Sequence, residues 1–131
     1  MRMMFAAMIV TALGAAAPAF AHHSFAAEFD ADKPVKLVGT VTKIEWTNPH
    51  AWVYIDVMDD TGKVGNWAWE LGSPTSLVRL GWTRTALKVG TLVTFEGSRA
   101  RDGSNTANAR SVTVNSSGQK LFGASSQGST Q

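Results

Sequence analysis

The sequence predicts an all-β domain, a small five-stranded OB-type barrel with one short helix between strands three and four. Short stretches alternate apolar and polar residues from Val35 onward, and turn-forming residues separate them at close intervals. One helix-like segment interrupts the series after its third strand. The competing arrangement, a lipocalin-like barrel or a sandwich, needs more strands than this chain supplies.

The first element is an export signal over residues 1–21. Arg2 places one positive charge ahead of an apolar run from Phe5 to Ala17, broken only by Thr11 and Gly14, and Pro18 precedes the cleavage pattern Ala19-Phe20-Ala21. The run is too short for a stable membrane anchor, the alternative to cleavage. Lys, Asp or Gly interrupts every hydrophobic stretch after residue 34, so no further span is expected and the mature chain is expected to be periplasmic or secreted.

Residues 22–34 form an N-terminal arm, in which Phe25 and Phe29 stand four apart and can pack on one helical turn. The barrel domain is expected over 35–114. Its first strand runs from Val35 to Trp46: Val35, Leu37 and Val41 share one parity, Ile44 and Trp46 the other. The switch beside Gly39 and Thr40 predicts a bulge or sharp bend.

Thr47-Asn48-Pro49-His50 makes a turn, because proline fixes its own φ and pushes Asn48 out of the helical region. A second strand, Ala51 to Met58, sets Val53, Ile55 and Val57 against Trp52, Tyr54 and Asp56. A hairpin turn at Asp59-Asp60-Thr61-Gly62 leads into a third, Val64 to Leu71.

Ser73 can cap a helix, Pro74 suits its first position, and Thr75 to Leu80 ends at Gly81. Thr83 to Leu87 adds a second short turn. A fourth strand, Thr91 to Ala100, a loop through Asp102 to Asn108, and a fifth strand, Ala109 to Val114, complete the order. The Ser/Gly/Gln-rich stretch 115–131 reads as a disordered tail in which only Leu121 and Phe122 are able to dock.

Removing residues 1–21 of 131 leaves 110, enough for one domain with a modest core. The full chain has 12 basic and 10 acidic side chains; Arg2 leaves with the signal, so the mature balance is +1 and carries no footprint for nucleic acid. The absence of cysteine excludes disulfides, thiolate catalysis, c-type haem attachment and cysteine-bound zinc or iron–sulfur sites. No nucleophile-elbow or phosphate-cradling glycine motif is present, and Asp59 and Asp60 belong to a hairpin tip, so no enzyme activity is expected.

The segments His22 to Asp30, Glu45 to Trp52, Trp67 to Pro74, Gly81-Trp82-Thr83 and Gly103-Ser104-Asn105 together resemble a family of small exported bacterial proteins of unknown function. The resemblance spans nearly the whole mature chain. It implies the signal peptide, the histidine pair that follows it and the Asn-Pro-His turn, and it implies no activity.

Cleavage after Ala21 makes His22 the first residue, so one histidine offers both an α-amine and an imidazole to the same ion. His23 stands beside it, and His50 sits in the loop between strands one and two, at the usual binding mouth of an OB-type barrel. Nitrogen ligands favour Cu(II) among the divalent first-row metals, so His22, His23 and His50 form a candidate copper site that Glu28 or Asp30 could complete. The bland alternative is a solvated arm and a His50 that only bonds its own turn.

A second candidate is a metal-free ligand face: Trp52 and Tyr54 on the outer side of strand two, with Asn48 in the preceding turn and Arg101 in the loop after strand four. A glycan, small molecule or protein partner fits such a face. Trp67 and Trp69 share a parity and are expected to fill the barrel with Leu71 rather than join that platform.

Overall fold

In a computed structural model of the chain, residues 25–124 are described. They begin with a single helical turn, α1 (Phe25–Glu28), which runs directly into the 17-residue strand β1 (Phe29–Glu45). Four more strands complete a barrel: β2 (Trp52–Met58), β3 (Val64–Glu70), β4 (Leu92–Ala100) and β5 (Thr106–Val114). The short helix α2 (Pro74–Arg79) stands between β3 and β4, and a small strand β6 (Lys120–Phe122) follows β5.

The ring closes because β1 serves two neighbours. Its first part, from Phe29 to Thr40, pairs with β4, and its last part, from Thr40 to Glu45, pairs with β2. At the handover a Cβ on Gly39 would stand 2.5 Å from the carbonyl oxygen of Asp56, so the strands approach as closely as they do only over a glycine. The register with β2 slips between Val41 and Lys43, two residues past the expected bend, which accounts for the parity switch in the sequence. Antiparallel pairs β2–β3 and β4–β5 and a parallel contact between β3 and β5 complete the order β1-β2-β3-β5-β4 around the barrel. It is the Greek-key OB-type arrangement with its helix between strands three and four.

The expected inward residues Val53, Ile55, Trp69 and Leu71 are buried together with Val93, Phe95 and Val112, Val57 packs partly buried against them, and the rings of Trp69 and Phe95 stack 4.8 Å apart. Trp67 differs: it is half-buried at one end of the barrel, under the guanidinium of Arg99. Ser73 caps α2 by accepting the Ser76 N–H at 3.2 Å. Leu77, on the buried side of α2, and Trp82 just after it join the core, and the Trp82 Nε1–H donates to the Phe122 carbonyl at 2.8 Å. A single turn follows, in which the Ala86 N–H bonds to the Thr83 carbonyl.

Three sequence boundaries are corrected. β1 starts at Phe29, not Val35: Asp30 to Pro34 lack apolar alternation because residues 31–34 are exposed, yet Phe29 is buried and paired with Ala100. β5 starts at Thr106, not Ala109, because Ala107, Asn108 and Ala109 are buried together and show no period of two. The stretch from Asn115 is not a tail as far as Ala124. β6 pairs with β5 through main-chain bonds that need no side-chain pattern; Leu121 docks in the core, whereas Phe122 stays exposed.

Candidate functional site

His50 lies one residue before Ala51, and main-chain bonds between Ala51 and both Leu71 and Gly72 lay this loop against the end of β3. The Nδ1 atom of His50 is 2.8 Å from the carbonyl oxygen of Leu71. A carbonyl can only accept, so Nδ1 carries the proton in this bond and Nε2 is the ring nitrogen left outside it. The partner is therefore the end of β3 and not the turn around Asn48-Pro49, a cis peptide. The ring is partly exposed, with 39% of the side chain accessible.

Behind it stands Glu70, the last residue of β3, with an Oε1 atom 3.8 Å from His50 Nδ1. Although it shares the outer parity with Trp52, its register partner on β2, Glu70 is buried, with Asn108 of β5 as its register partner on the other side. Asn108 of β5, also buried, donates Nδ2–H to Oε1 at 3.2 Å. Burial pushes the Glu70 carboxyl above its ordinary pKa and the negative charge of Glu28 adds to this, while His50 and the Asn108 bond act against it. Sequence pattern did not single out Glu70 or Asn108, because a polar residue on an outer strand face is ordinarily solvated.

The N-terminal arm folds back over this end of the barrel. Arg101, just after β4, donates its main-chain N–H to the Glu28 carbonyl at 2.8 Å and its Nε–H to the Ala26 carbonyl at 2.7 Å. Its Nη1 lies 3.6 Å from an Asp30 carboxylate oxygen. Phe25 and Phe29 stack with centroids 5.7 Å apart, as their spacing predicts. Between this arm, β2 and the β4–β5 loop lies an open cavity of about 560 Å³ whose walls include Glu28, Phe29, Trp52, Arg101, Asp102 and Thr106. The Ser104 side chain and its main-chain N–H, the latter at 2.9 Å, hold the Asp102 carboxyl below the ordinary range.

Of the ligand-face candidates, Trp52 and Arg101 thus meet in one cavity, although part of the Arg101 guanidinium is taken up by the arm. Tyr54 is engaged elsewhere on β2: its hydroxyl donates to Glu45 at 3.2 Å and Lys43 sits 5.2 Å from its ring centroid. Burial and the Glu45 bond raise the Tyr54 pKa, and contact with Lys43 lowers that of Glu45. Asn48 is exposed in the turn and is not among the residues lining the cavity. His22 and His23 lie outside the described residues. Among those that are described, no three His, Asp or Glu side chains are grouped to hold a metal ion, and no helix is long and apolar enough to cross a membrane.

The strand order defines an OB-type barrel, with a cavity between the N-terminal arm, β2 and the β4–β5 loop. Residues 10–109 match the family of unknown function DUF6152, and the chain belongs to that family. Among solved structures it is similar to the N-terminal domain of PriB from Thermoanaerobacter tencongensis, at 22% identity over 63% of this chain and 96% of that one, with a TM-score of 0.41. No curated protein matches the sequence.

Proposed function

We propose that the protein is exported, is cut after Ala21, and is a non-enzymatic binding protein that takes up Cu(II) through the α-amine and imidazole of His22, with His23 or His50 as a further nitrogen ligand. The observation that carries this reading is the Nδ1–H of His50 bonded to a main-chain carbonyl, the arrangement that fixes the tautomer of metal-ligating histidines and leaves Nε2 as the nitrogen to ligate. Chain length supports it as well: His22 lies three residues before Phe25, within a reach of about 10 Å of the anchored arm. A bound copper ion supplies a positive centre for nitrogen donors. The chain's own part is to present an amine and two imidazoles in their deprotonated forms.

Titration of the tag-free mature protein against a competing chelator tests the proposal. One Cu(II) is expected per chain, with Zn(II) held more weakly. An added N-terminal methionine abolishes the tightest mode, and His50→Ala weakens binding without unfolding the barrel if His50 is the further ligand. Affinity no better than that of a free His-His-Ser peptide, together with no effect of His50→Ala, refutes it.

The cavity favours a second, metal-free reading, in which Trp52 offers a stacking surface to a glycan or other flat small molecule, with a protein partner as the remaining option. Ligand-induced quenching of tryptophan fluorescence that Trp52→Ala removes supports that reading. Quenching that survives the substitution refutes it.

A further inference from the structure

The charges around the cavity beside Trp52 do not balance. Two carboxylates stand in its wall, Glu28 of α1 and Asp102 of the β4–β5 loop, against one cation among the lining residues, Arg101. The guanidinium of Arg101 is committed to the arm: its Nε–H bonds to the Ala26 carbonyl at 2.7 Å and its Nη1 faces Asp30 at 3.6 Å, and neither acceptor borders the cavity. A ligand that enters therefore meets an excess of negative charge.

Both carboxylates act on the same space. The Ser104 side chain and main-chain N–H hold the Asp102 carboxyl below its ordinary range, so it is ionised at neutral pH. Glu28 acts from the arm, and its charge is felt at Glu70, the register partner of Trp52. Trp52 itself, half-buried, supplies the aromatic surface. The face of an indole is the negative end of its quadrupole and attracts a cation. Ring and carboxylates thus select one ligand by different physics: an anion is repelled by both, and an uncharged ring gains from stacking alone. The volume of about 560 Å³ lies within the range of small-molecule sites, roughly 300–1,000 Å³.

We infer that the cavity takes an organic monocation, a ligand whose apolar face lies on Trp52 and whose charge is balanced by Glu28 and Asp102. The inference rests on the metal-free reading above and names the ligand class within it.

The test uses two probes that differ in one methyl group and one charge: 1-methylnicotinamide, a flat cation, and nicotinamide, its uncharged parent. Methyl β-glucoside serves as an uncharged glycan probe. Each is titrated into the protein while the indole N–H resonance of Trp52, assigned by its loss in Trp52→Phe, is followed by NMR. The cation is expected to bind about five- to tenfold more tightly than nicotinamide, an advantage that shrinks at high salt. Asp102→Asn keeps an acceptor for the Ser104 N–H and should reduce that advantage about threefold, with nicotinamide affinity unchanged. Trp52→Ala should abolish binding of both rings, and Glu28→Gln carries the test from the arm if that variant does not fold.

Equal affinity for the two rings, or a glucoside that binds more tightly than the cation, overturns the inference while leaving the metal-free reading standing. A Trp52 resonance that none of the three probes moves at millimolar concentration overturns that reading, and the inference with it.

Discussion

Gly97 is where the barrel wall and the buried polar group behind His50 depend on the same atom. It sits at the register shift of β4 against β5, and a Cβ there would lie 1.8 Å from the Asn108 carbonyl oxygen, 2.9 Å from its carbon and 3.2 Å from the Trp69 ring. Carbon–oxygen contacts settle near ~3.3 Å, so Gly97→Ala must open the strands by roughly 1.5 Å. A main-chain hydrogen bond lengthened by that much is broken.

One or two such bonds at about 1–3 kcal/mol each, with an overpacking cost of similar size, predict a loss of about 3–5 kcal/mol. In urea, where a small domain has a slope of roughly 1–3 kcal/mol per molar, the unfolding midpoint should fall by more than about 1 M. Gly65→Ala is the control, since its Cβ would meet only the end of the Asn105 side chain at 3.3 Å; it should stay within about 0.5 kcal/mol of wild type. Urea unfolding followed by far-ultraviolet circular dichroism reads both. A Gly97→Ala midpoint within about 0.2 M of wild type would mean that the strands yield freely there, and the reasoning from close approach would fail.

Glu70→Gln should gain stability relative to wild type as pH rises. The folded carboxyl has a raised pKa, so the unfolded chain ionises first once pH passes its ordinary value of 4.5, and ionisation then favours unfolding until the folded group titrates as well. Urea unfolding at pH 3.5 and 7 should show a larger advantage for the glutamine variant at pH 7; a difference independent of pH refutes the assignment. Leu121→Ala should cost about 2–4 kcal/mol and Phe122→Ala less than about 0.5, since only Leu121 is buried. Equal effects would show that β6 is not part of the core. Intact mass of the exported protein should show loss of residues 1–21, leaving His22 first, and a cut downstream of His23 would remove the ligands on which the copper reading depends.

The sequence by itself determined the fold class and most of its elements. Alternation in Ala51 to Met58 and Val64 to Leu71 is a local property, set by one buried face per strand, and so are the Ser73 cap, the stop at Gly81 and the hairpin turn at Asp59 to Gly62. The five-strand order with its helix is a sum of such local signals, which is why the barrel was legible. The same holds for Trp52 as a residue lining the cavity, because its place follows from the strand that carries it.

What only the tertiary structure decided depends on contacts between distant segments. The buried pair Glu70 and Asn108 is brought together by the parallel pairing of β3 with β5, of which neither strand carries a sequence mark. The His50 tautomer is set by a carbonyl 21 residues away, and the grip of Arg101 on Ala26 spans 75. β6 was hidden because its bonds to β5 are made by the main chain, whatever side chains the strand carries. Local periodicity reports which side of an element is apolar, whereas a site is built where separate elements meet, and only the folded chain brings them together.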